Sequence, residues 1–277
     1  MNYQIEKLIL AIAVNYFLTS CTTTTSENST YQTSSTYKHS SRILISGSEA
    51  KSIGEKIWYN ECGGTIEGLT SWNKGEYFAS LGIGHFIWYH KKQQGPFEES
   101  FPKLVNYLAL KGVEVPKFAL NDHCPWETRE EFIKSKGSAE MKKLRLLLHQ
   151  TIPLQTEFIL RRLENALPKM VAVISDKNKD RVISNFYTLA KTAKGKYALM
   201  DYINFKGEGT KKSERYKGKG WGMLQVLEEM NYPKKIELAS KEFSIAADKV
   251  LSRRVKNAPK NETMWLKGWR NRLRTYQ

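Results

Sequence analysis

Residues 57–90 run IWYNECGGTIEGLTSWNKGEYFASLGIGHFIWYH. Upstream, Ser46 or Ser48 offers an N-cap, and Ile53, Ile57 and Trp58 recur at helical spacing, so a first helix is predicted up to the Gly63–Gly64 stop. Glu61 lies four residues after Ile57 and therefore continues the inward stripe of that helix. Burial at the negative end of a helix favours an uncharged carboxylic acid, the form that can donate a proton to a glycosidic oxygen. Beyond the glycines, Thr, Trp, Tyr, Phe and Ile surround an Asn73–Lys74–Gly75 turn, which predicts a small β-hairpin over 65–90.

Downstream the pattern turns helical. Helices are predicted near 97–111, 127–135, 138–150, 154–174, 180–193, 195–204, 221–230, 237–257 and 261–275. Leu160, Leu163 and Leu167 form one packing stripe, and Val182, Phe186 and Leu189 another. The fold class expected is mainly α (α+β): a helical domain carrying a small β-hairpin subdomain near its N-terminal end. The closing segment Trp265–Leu273 is expected to be an amphipathic basic helix with its tryptophans in the core.

The chain has 277 residues, with 40% hydrophobic and 26% charged side chains, enough apolar residues for a sizeable core and too many for a disordered polymer. No apolar run reaches the roughly 20 residues of a membrane-spanning helix, which excludes a polytopic membrane protein. Forty-four Lys and Arg against 28 Asp and Glu leave a net charge of +16, which calls for polyanionic surroundings: nucleic acid, acidic lipid or an anionic wall polymer.

The amino terminus chooses among these. Residues 1–20 have Lys7 before a short apolar stretch, as in a secretion signal, and Leu18–Thr19–Ser20–Cys21 resembles the bacterial lipobox. Residues 21–45, dominated by Ser and Thr, are expected to form a tether. The layout expected is therefore signal peptide 1–20, tether 21–45 and a folded domain 46–277, anchored by lipid at Cys21 to the periplasmic face of an outer membrane. Such a protein meets wall carboxylates and lipid headgroups rather than nucleic acid. Cys62 and Cys124 then stand in an oxidising compartment, and pairing or burial as free thiols remain open. His85, His90 and His123 with these cysteines have no metal-site spacing, and neither metal nor cofactor is expected.

Glu61, the Gly-bearing hairpin and the run Ser80–Leu81–Gly82–Ile83–Gly84–His85 together resemble the phage-type lysozymes of the lysozyme-like superfamily. Some 30 residues carry the resemblance. It implies Glu61 as catalytic acid and Ser80, on the family's Thr position, as a residue that helps place the attacking water. Gly82, Gly84 and His85 match directly. Lys74 stands where the family has an Asp, and the interval from Glu61 to Ser80 is longer than is usual for it. Glu76 is the nearest hairpin carboxylate; strand alternation would put it on one face with Phe78 and Ser80, opposite Glu61.

Two later segments, 202–210 and 216–225, are rich in Gly, aromatic and basic residues and are expected to form a binding loop. With Trp72 and His85, they supply the substrate-binding candidates Glu208, Tyr216, Trp221 and Gln225. Gly220–Trp221–Gly222–Met223–Leu224–Gln225 is faintly similar to the Gly-Leu-Met-Gln run of lytic transglycosylases. The activity implied is cleavage of β-1,4 bonds in peptidoglycan by a monomeric enzyme. A lytic transglycosylase using Glu61 alone and a non-catalytic wall-binding lipoprotein are the alternatives.

Overall fold

Ser46 opens the first helix. Its Oγ accepts from the Glu49 backbone N–H at 3.2 Å while the Glu49 carboxylate accepts from the Ser46 N–H at 3.1 Å, a reciprocal cap for α1 (Gly47–Cys62). Gly63, at φ +63°, ends the helix in the left-handed region. The computed structural model describes residues 42–93, 95 and 97–277; the expected signal peptide, Cys21 and the tether up to residue 41 lie outside the described residues. The folded unit starts slightly before the expected boundary at 46. Ile43 is buried, and its N–H donates to Glu164 Oε1 at 2.6 Å.

The molecule is mainly helical with a small antiparallel sheet. Strands β1 (Thr70–Ser71), β2 (Phe78–Leu81) and β3 (Phe86–Tyr89) lie in that order, with Ser71 facing Ser80 and Phe78 facing Tyr89. The sheet is held from the side by aromatic packing. Trp88 stacks against Phe101 of α2 (Phe101–Leu110) with ring centroids 4.6 Å apart, and Trp72 and Trp126 meet Phe132 of α3 (Arg129–Lys134).

The remaining helices are α4 (Ala139–Gln150), α5 (Ile152–Ala172), α6 (Asp176–Ala190), α7 (Ala193–Lys206), α8 (Met223–Glu229), α9 (Ala239–Asn257) and α10 (Thr263–Arg274). Both predicted stripes are buried, on α5 and α6 respectively. The backbone of α1 approaches α5 at Gly54, where a Cβ would strike the side chains of Thr156 and Ile152. Between α7 and α8, the expected loop contains a two-stranded hairpin, β4 (Arg215–Tyr216) and β5 (Lys219–Gly220). No helix among the described residues is long and apolar enough to cross a membrane.

Cys62 and Cys124 are separate, buried thiols, each pushed up to about 12 by burial. Cys62 Sγ donates to the Gly82 carbonyl at 3.7 Å, joining the end of α1 to the hairpin turn.

Candidate active site

Glu61 occupies the last turn of α1, with only 12% of its side chain exposed. Two donors converge on Oε1: Asn204 Nδ2 of α7 at 3.3 Å and the Arg272 guanidinium of α10. Across from them His85 Nδ1 lies 3.5 Å from Oε2. The sequence pattern leads one to expect a lone buried carboxyl at this position; the structure instead places Glu61 against a cation. That cation is already countered. Asp201, fully buried on α7, accepts from Arg272 Nε at 2.7 Å and from a terminal guanidinium nitrogen at 2.8 Å. Glu61 therefore faces an ion pair, not an isolated arginine.

The pair is held on every side. Asp201 also accepts from the Tyr276 hydroxyl and from Asn60 Nδ2, the latter at 3.2 Å. Asn60 donates in addition to Tyr197 Oη at 2.8 Å. Burial opposes the charge on Arg272, but Asp201, followed by Glu61, outweighs it and holds the guanidinium above its ordinary pKa. Burial first, then the Asp201 charge, drives the Tyr276 phenol well above its usual value, so it remains a donor.

His85 is aimed by the hairpin turn. Gly82 sits at φ +69° and His85 at φ +46°, both left-handed. A Cβ on Gly82 would collide with Gln155 Oε1, and one on Gly84 would enter the Phe86 ring at 2.5 Å. Gln155, fully buried on α5, accepts from the Ile83 N–H at 3.0 Å and pins the turn to the helical half. The Gly-Ile-Gly-His spacing is thus required by close approach on one side and a reversed backbone on the other.

Glu76 does not join this group. β2 begins only at Phe78 and all four of its residues are buried, so the strand alternation expected to carry Glu76 alongside Ser80 is absent. Its backbone carbonyl accepts from Trp72 Nε1 at 2.9 Å, and its Oε2 is buried without a partner. Among the described residues, no hydrogen bond or ion pair links it to Glu61, Arg272 or His85. Ser80 is buried in β2, where its carbonyl accepts from Ser71 Oγ at 3.3 Å.

The binding candidates divide. Glu208 pairs with Lys169 at 3.2 Å and lines a cavity of about 50 Å³ with Asn204 and Arg162, one step from Glu61. Trp72 is buried against Phe132, away from solvent. Gln225 is structural: it accepts from the Gly222 N–H and donates to the Gly209 carbonyl, both at 3.0 Å, closing the loop. Trp221 and Tyr216 pack together, centroids 4.5 Å apart, with the Arg254 guanidinium 4.2 Å from the Trp221 ring centroid. Tyr216 Oη donates to Glu262 at 2.9 Å, and Arg254 pairs with Glu262 at 2.8 Å. The Arg254 hydrogen bond is the main reason Glu262 lies below the ordinary carboxylate range.

One lysine beside this site is costly. Lys206 Nζ lies 3.9 Å from the Phe205 ring centroid and 3.8 Å from that of Trp269, with no hydrogen bond or ion pair among the described residues. Burial, then Arg254 and Arg272, lowers its pKa to about 7, against the weaker pull of Glu262 and Glu61. An unfolded lysine stays charged to about pH 10. The unfolded state therefore binds the extra proton between pH 7 and 10, and the penalty is largest below 7. Lys206→Met is expected to raise the melting temperature by several degrees at pH 6, the gain fading toward pH 10; thermal melts across that range check it.

Among the described residues there is no group of three or more His, Cys, Asp or Glu side chains that could hold a metal. No protein-family model, curated protein or solved structure matches the chain.

Proposed function

We propose that this chain is a lysozyme-like glycan-cleaving enzyme acting on the β-1,4 bonds of peptidoglycan, with Glu61 as the proton donor. The observation that carries the reading is a nearly buried glutamate at a helix end. It is faced by the histidine of a Gly-Ile-Gly-His turn and backed by an arginine whose charge is already matched by Asp201. In this arrangement Oε1 is occupied by donors and Oε2 remains to pass a proton to the leaving oxygen. Ser80 would help place water. The net charge of +16 suits an anionic wall polymer, and lipid anchoring at Cys21 on the periplasmic face of an outer membrane would bring the enzyme to it.

A second reading has its own support. Because no hydrogen bond or ion pair ties Glu76 to Glu61 among the described residues, the second reading is a site with a single acid, in which the 6-hydroxyl of the substrate attacks in place of water, as in lytic transglycosylases. Incubating the purified protein with sacculi and weighing the released fragments separates the two: reducing muropeptides mean hydrolysis, 1,6-anhydro products the single-acid route. No release anywhere between about pH 4 and 8 overturns the enzymatic reading and leaves a wall-binding protein.

A further inference from the structure

Cations and aromatic rings alternate in an unbroken row from the second hairpin to Glu61. Arg254 lies 5.6 Å from the Tyr216 ring centroid and 5.2 Å from that of Trp269. Lys206 sits between Trp269 and Phe205, and Arg272, 4.2 Å from the Phe205 centroid, reaches the Glu61 carboxylate. Arg254 and Arg272 have carboxylate partners, Glu262 and Asp201, whereas Lys206 has none among the described residues. Among the described residues it is the cation of the row without a carboxylate partner.

α10 forms one wall of this row. Trp265, Trp269 and Arg272 are spaced four and three residues apart, which places them on a single helical stripe. The first departs from expectation. A tryptophan predicted to lie in the core is 57% exposed, and among the described residues no aromatic ring or cation packs against it. Its distance from Arg272 along the helix axis is about 10 Å. That is enough to seat a sugar other than the one being cleaved. The faces of Trp269 and Phe205 are taken by Lys206, so Trp265 holds the open ring of this stripe.

We propose that this row is a binding strip for an acidic glycan, in which Trp265 stacks on a sugar ring and Lys206 pairs with a carboxylate carried by the glycan. The proposal rests on the glycan-cleaving reading and names the features of the strand that would be recognised. A ring face and an unpartnered ammonium suit a sugar bearing an acid group, as the muramic sugar of peptidoglycan does; a neutral glycan would leave Lys206 unmatched.

The test uses binding, so that it is independent of turnover. In a Glu61→Gln background, binding of peptide-free peptidoglycan strands and of a neutral chitin oligosaccharide of equal length is measured by calorimetry at about pH 6, where Lys206 carries its proton. The strands are expected to bind about tenfold more tightly than the neutral chain. Trp265→Ala is expected to weaken both by about tenfold, and Lys206→Gln to remove most of the preference while leaving neutral binding in place. Trp265→Ala binding both ligands within twofold of the parent, or a preference that survives Lys206→Gln, overturns the proposal. If the unaltered protein releases nothing from sacculi yet these binding differences appear, the strip stands and the catalytic reading fails. If it cleaves normally and the differences are absent, only the strip fails.

Discussion

Glu61→Gln is expected to lower fragment release from sacculi by at least about a hundredfold, the loss typical of removing a general acid, and to leave the fold intact. Both halves follow from the geometry. The amide keeps an oxygen to accept from Asn204 and Arg272 but has no proton of carboxylic acidity to give to a leaving oxygen. Stability should change little because Arg272 retains both bonds to Asp201, so no buried charge is orphaned. A melting temperature lower by only a few degrees is expected, read by circular dichroism beside the release assay. A variant that still cleaves at the parent rate removes Glu61 from the chemistry. A variant that has lost both cleavage and fold reports on stability alone, and Glu61→Asp, which keeps the acid but shortens its reach, then tests the role by partial activity.

How much of this was legible in the sequence depends on how local each signal is. The capped start of α1 and its Gly63 stop are spelled by adjacent residues, and Ser46, Glu49 and Gly63 do in the structure what their positions imply. The hairpin is also local, though its second strand begins only at Phe78, so Glu76 falls in the turn. The partner of Glu61 is a different matter. Arg272 lies 211 residues away, and nothing near Glu61 announces it. A weaker signal did exist: Asp201 interrupts the apolar run Tyr197–Ala198–Leu199–Met200 and Tyr202–Ile203, and a buried carboxylate requires a cation from elsewhere. The Arg272 end of the closing helix was available as that cation. Trp269 packs against the core as expected, but Trp265 of that helix departs for a related reason. Amphipathic spacing shows which residues share a face, but not whether the face meets a core or a groove. Here Leu273 and Tyr276 are buried, whereas Trp265 is exposed.

Asp201→Asn is expected to be the most damaging single change to stability outside the apolar core. The wild-type carboxylate accepts from Arg272 twice, from Tyr276 and from Asn60, with no exposure to water. Removing one partner of a buried pair costs up to about 3–5 kcal/mol, the full figure applying where the remaining charge is left without a counter-ion. For a folded unit of this size, a loss of that order lowers the melting temperature by roughly 6–20 °C. Tyr276→Phe removes only one hydrogen bond from the same carboxylate and should cost about 1 kcal/mol, which makes it the control for a general disturbance of the α7–α10 packing. The two variants also differ in function. With Asn at 201, Arg272 has Glu61 as its remaining carboxylate partner among the described residues, so the guanidinium engages the Glu61 carboxyl more fully and fragment release from sacculi is expected to fall. Tyr276→Phe is expected to leave fragment release where it was. If Asp201→Asn melts within a few degrees of the parent and releases fragments at the parent rate, Asp201 does not hold Arg272 in check, and the view of Glu61 as a proton donor facing a neutralised arginine falls with it.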